Sequence, residues 1–143
     1  MKYIKQLLSQ SQLVRREDGV SAVEFGLILP LLAALLMGTI EFGMMFFARN
    51  AAQNAARDIV RQIATNRLPA DNAAAEAAKQ TAVWVTPHQT VTVSQSAPGT
   101  ATNQITVNIS FPALKAAPTG FLSYFYGSTT LDVKAIMKQE VPL

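Results

Sequence analysis

Two carboxylates interrupt an otherwise apolar stretch of this chain, and they are the first residues whose placement implies chemistry. Gly19–Phe47 reads GVSAVEFGLILPLLAALLMGTIEFGMMFF, with Glu24 and Glu41 as its charged residues. An acid inside hydrocarbon is expensive, about 2.5–3.5 kcal/mol for Asp at a helix centre and less near an edge. Glu24 stands at the apolar edge, five residues after Gly19. It reads as a group placed to pair with a cation, and against that as a marker of the water boundary. Glu41 follows seventeen residues later, about 25 Å along a helix. It is expected at the opposite boundary, facing water, headgroups or Arg49 two turns on.

Other chemistry finds little support. His88 is the only histidine and there is no cysteine, so a transition-metal site, a disulfide and a thiolate cofactor site are not expected. A Ser–His–Asp hydrolase would need His88 with Asp58, Asp71 or Asp132, and no nucleophile elbow accompanies them. No glycine loop suited to a phosphate occurs. The chain is therefore expected to be no enzyme, with no cofactor, no metal and no small-molecule substrate. Net charge is +3. Lys2, Lys5, Arg15 and Arg16 outweigh Glu17 and Asp18 before Gly19, and the remainder is near neutral. No basic run interleaved with aromatics occurs, so nucleic acid is not an expected partner.

The elements that must carry these residues follow from periodicity. Phe25–Phe47 holds twenty-three residues with one charge, about 34 Å of helix against a hydrocarbon core of about 30 Å. The span is placed at 20–47, and the basic leader before it is expected on the cytoplasmic side. Pro30 removes a helix donor and is expected to kink the span. Gly26, Gly38 and Gly43 would allow a neighbouring helix to approach closely, or reflect only the abundance of glycine in spanning helices.

Beyond the span, Ala48, Ala52, Ala55, Ile59 and Ile63 recur at helical spacing, with Arg49, Gln53, Arg57 and Arg61 as a separate polar stripe. One helix is expected from about Val20 to Asn66, closed by Pro69. Its extramembrane part is 48–68. Asp71 or Asn72 is expected to cap a short alanine-rich helix that ends before Pro87. The period then changes to two. Val91 and Val93, then Ile105, Val107, Ile109 and Phe111, then Leu131, Val133, Ala135 and Met137 alternate with polar residues.

The expected fold is α+β: a long N-terminal helix and a short one packed on a small three-stranded antiparallel sheet in a domain over 69–143. That remnant is small for a self-sufficient core, which points to the membrane or another subunit as a stabiliser. The aromatics Phe121, Tyr124, Phe125 and Tyr126 are expected in the core under a long connection, with a docking surface as the other reading.

The string GVSAVEF at Gly19–Phe25 resembles the processing site of prepilin-like proteins, in which a membrane aspartyl peptidase cuts after the glycine. Together with Ile40-Glu41-Phe42-Gly43 and AAQNAARDIVRQIA, it is similar to the TadE-like family of tight-adherence (Flp) pilus proteins. The similarity covers roughly Arg15–Arg67; beyond Pro69 it is one of layout, short strands with a closing strand ending in Glu140. It implies a minor pilin or pseudopilin of type IV pilus assembly. The chain would be single-pass in the bacterial inner membrane, with a cytoplasmic leader (1–19), cleavage between Gly19 and Val20, and an extracytoplasmic domain. Expected partners are the prepilin peptidase, other pilins or pseudopilins, and Tad assembly proteins. Glu24, Phe25 and Pro30 carry the motif.

Cleavage would give Glu24 a definite task. A new amine at Val20 would lie one helical turn from the Glu24 carboxylate of its own or an adjacent chain. The helix dipole favours a carboxylate near that end. Pairing across chains would recover the cost of burying the acid and set helix register. Two other readings are an uncleaved single-pass anchor for a binding or scaffold domain, and a secreted domain released from a signal peptide. The apolar run is long for the latter, and no basic residue abuts it.

Overall fold

The computed structural model describes the backbone of residues 2–98, 100, 102–117, 119–121 and 123–140, and their side chains from residue 19 onward except residue 126. Ile4, Leu7 and Leu8, which would give the leader a weak apolar face, have side chains outside the described residues. The chain divides into two compact units, 1–38 and 39–143. In the first, the described side chains of 19–37 are all exposed along helix α1 (Lys2–Ala64). The second holds the core.

Within 39–143, α1 presents Ala48, Ala52, Ala55, Ala56, Ile59, Val60, Ile63 and Ala64 to that core. Alanine has the best helix propensity and the shortest side chain above glycine. Five of them facing the core let the helix lie close over larger side chains. Those come from a sheet of β1 (Thr90–Gln95), β2 (Gln104–Pro112) and β3 (Thr130–Lys138), antiparallel in the order β1-β2-β3. The register pairs Val91 with Ile109, Val93 with Val107, Ile109 with Val133 and Phe111 with Leu131. Because strand side chains alternate in direction, this register gathers the apolar set on one face. Ile105, Val107, Ile109, Phe111 and Val133 are fully buried there. The expected α+β architecture is what the molecule has.

Three details depart from expectation. First, α1 ends at Ala64, before Pro69. Asn66 adopts φ 56°, Arg67 N donates to Gln62 O at 2.8 Å and Asn66 N to Ile63 O at 3.0 Å. That pair of bonds is a Schellman close, with asparagine tolerating the left-handed position. Second, Asn72 precedes α2 (Ala73–Gln80) in a helical conformation with no side-chain capping bond. A single 3-10 turn, Ala70–Asn72, leads into the helix instead, so neither Asp71 nor Asn72 caps as expected. Third, the connection after β2 contains two short helices, α3 (Ala113–Ala116) and α4 (Ser123–Tyr126). Tyr124 and Phe125 on α4 are exposed and meet edge to face, and Phe121 is exposed too. These three are therefore not core; the side chain of Tyr126 lies outside the described residues.

Polar ties join the elements. Asp58 of α1 accepts from Gln62 at 2.7 Å and from Gln80 of α2 at 2.8 Å. On α2 the Lys79 ammonium donates to Glu76 at 2.7 Å and holds that carboxyl below the ordinary value of 4.5. The pair therefore contributes at neutral pH and is lost as pH falls through the lowered value. Trp84 donates its indole N–H to Ala116 O at 2.9 Å and packs beside Phe47, ring centroids 6.0 Å apart.

Asn103 is fully buried and joins several elements. Its Oδ1 accepts from Ala97 N at 2.9 Å, and its Nδ2 donates to Gln95 at 3.0 Å and Gln139 at 2.8 Å. Gln139 in turn donates to Asn66 at 2.9 Å. Asn103→Ala would strand these groups, and a buried group left unsatisfied costs about 1–3 kcal/mol. A lowered urea midpoint with unchanged slope is the expected reading for this variant; an unaltered midpoint would show the ties to be idle.

Candidate membrane and assembly segment

The residues singled out at the start of the apolar stretch all fall on α1. Gly19, Val20, Glu24 and Phe25 are exposed, with Glu24 one turn after Val20. The helix continues through Pro30, although proline supplies no N–H there. From Val20 to Leu36 large apolar side chains are open on every side, Leu27 reaching 75% exposure. A helix exposed all round and apolar all round has no counterpart in a water-facing surface. Gly19–Ala64 includes a window of mean hydropathy 2.2, long and apolar enough to cross a membrane.

Gly26, Gly38 and Gly43 have nothing within 4 Å of the point a Cβ would occupy. None of the described residues packs against them. Space for a neighbouring backbone is therefore present at each.

Glu41 differs from expectation. It is 1% exposed and has a partner, so it faces neither water nor headgroups, while Arg49 is exposed. The reason is helical phase. Glu41, Met45, Ala48, Ala52, Ala55 and Ile59 succeed one another by four, three, four, three and four residues, a single stripe down α1. Glu41 therefore shares the covered face with Ala48, and Met45 between them is partly buried against the core. The spacing was present in the sequence, masked by Ile40 and Phe42, which read as membrane.

The residues considered for catalysis do not converge. His88 is exposed in the 3-10 turn Thr86–His88. Asp58 is held by Gln62 and Gln80, and Asp71 and Asp132 are exposed. Among the described residues no group of three histidine, aspartate or glutamate side chains comes together to hold a metal.

What remains is a chain whose distinctive chemistry is one exposed acid at the head of an apolar helix, followed by a folded domain. Residues 19–61 match the family model for the TadE-like protein. No match was found among curated proteins or among solved structures. The match begins at Gly19 and covers Glu24, Pro30 and the alanine face. Over residues 19–61, then, the chain is similar to the TadE-like family.

Proposed function

We propose that this chain is a minor pilin or pseudopilin acting in assembly of tight-adherence (Flp) type IV pili. It is anchored in the bacterial inner membrane by residues 20–47, with the leader 1–19 in the cytoplasm and residues 48–143 outside it. A prepilin peptidase cuts after Gly19. The freed Val20 amine and Glu24 then set the register of this helix against helices of other pilins or pseudopilins, Gly26, Gly38 and Gly43 admitting their backbones. Phe25 and Pro30 complete the motif. The observation that carries this reading is the match beginning at Gly19, on a helix with apolar side chains open all round and a lone acid one turn in.

The experiment is intact-mass analysis of the chain extracted from membranes of cells that carry the peptidase. The expected N-terminus is Val20. Gly19→Ala is expected to insert normally and to keep Met1, losing essentially all of the mobility shift. Recovery of an intact Met1 from the unaltered chain would favour the alternative, an uncleaved anchor for a binding or scaffold domain. A shift that survives Gly19→Ala would place the cut elsewhere.

A further inference from the structure

We propose that the free edge of β3 takes up an extended, acidic segment of a different protein as a fourth strand, its alternate carboxylates paired with Arg57 and Arg61 of α1. This goes beyond the anchoring role above and holds whether or not Gly19 is cut.

Three observations lead to it. A groove of about 480 Å³ lies between α1 and β3, lined by Gln53, Arg57, Val60, Arg61 and residues 134–137. Successive strand side chains point to opposite faces. Four consecutive residues lining one groove therefore present the strand by its edge, backbone included. Among the described residues β2 is the one strand paired with β3, so the outer edge has no strand partner there and, apart from the Lys134 carbonyl that Gln53 reaches, offers its peptide groups for strand addition. Gln53 already donates to Lys134 O at 3.4 Å from the helix side, which shows a strand carbonyl turned towards the groove.

The second observation is geometric match. Gln53 meets Lys134, and Ala64 O accepts from Glu140 N at 2.9 Å. The helix and strand therefore run side by side in the same direction. Arg57 and Arg61 are one turn apart, about 6 Å along the axis. Alternate residues of a strand are about 6.6 Å apart. Each arginine can meet one alternate residue of an added strand.

The third is charge. Arg57, Arg61 and Lys134 are exposed and have no carboxylate partner among the described residues. Asp132, the acid on β3, lies outside the lining. Cations on both walls with apolar Val60 and Ala135 between them suit an acidic strand with alternate apolar residues. That occupant is not a second copy, because no two acids in this sequence are separated by a single residue.

The test uses the full-length chain in neutral detergent micelles. The probe is a fluorescent nine-residue peptide, matched to the nine residues of β3, alternating glutamate with valine. Saturable binding is expected by anisotropy. The double variant Arg57→Glu/Arg61→Glu is expected to weaken it roughly tenfold or more, the sum of surface ion pairs lost and reversed. That variant should bind the lysine version of the peptide, which the unaltered chain rejects, and this also shows that it is folded. Methylating alternate backbone nitrogens of the probe, in both phases, should cost about tenfold in one phase, because strand addition needs those N–H donors. Absence of saturable binding, indifference to methylation in both phases, or equal binding of the lysine peptide overturns the proposal. So does binding of phosphatidylglycerol vesicles through Arg57 and Arg61 without binding of the peptide, or concentration-dependent self-association abolished by the double variant.

Discussion

Glu24→Ala is expected to remove the chain from pilus assembly while leaving it in the membrane with its domain folded. The two halves of that expectation have one cause. A carboxylate near hydrocarbon raises the energy of the lone helix, by up to about 2.5–3.5 kcal/mol for Asp at a helix centre. Alanine removes that cost, so insertion is unimpaired or improved. Under the proposed function it also removes the partner for the Val20 amine of an adjoining chain, and with it the difference between assembled and solitary helices. Loss of even 1.4 kcal/mol from that difference is a factor of about ten in assembly. Glu24 is exposed and contributes nothing to the core of 39–143, so the domain should melt as before. Sheared surface fibres and co-purification with partner subunits are the measurements, with Glu24→Gln to separate charge from size. Normal fibre yield from both variants would remove Glu24 from the mechanism.

The largest effect on stability is expected from Phe111→Ala. Phe111 is 1% exposed and the largest fully buried side chain among the described residues. It pairs across strands with Leu131 and stands at the end of the alternating series on β2. Truncating a buried phenylalanine costs about 3–5 kcal/mol through lost transfer energy and the cavity left behind. Small domains have about 5–15 kcal/mol in total. A fall in Tm of more than about 10 °C is expected, since each kcal/mol shifts a domain of this size by several degrees. Near-ultraviolet dichroism of the full-length chain in neutral detergent follows it through the tryptophan. A shift under about 2 °C would mean that the core does not depend on this ring.

These two residues also show what the sequence could disclose. Phe111 announced its place through strict alternation with Ser110, Asn108 and Thr106, and a period of two has one reading when a single face is covered. Glu24 announced a task through its cost in hydrocarbon, but the partner we propose for it belongs to another chain, and no single-chain pattern can supply it. Glu41 was misplaced because local hydropathy outweighed phase; counting from Ala48 back by seven would have set it on the covered face. Asn66 ended α1 ahead of Pro69 because a left-handed residue stops a helix without a proline, and asparagine does not advertise which conformation it will take. Tyr124 and Phe125 were expected inside on composition alone. Aromatic type records an affinity for apolar surroundings, not whether the domain's own volume has room for two more rings.

The chain of contacts from Gln95 through Asn103 and Gln139 to Asn66 is built from carboxamides alone. None of the four carries a charge at any ordinary acidity, and dissolved ions have nothing there to screen. The far end of the sheet is thereby fastened to the end of the long helix by a latch that external salt and acid leave alone.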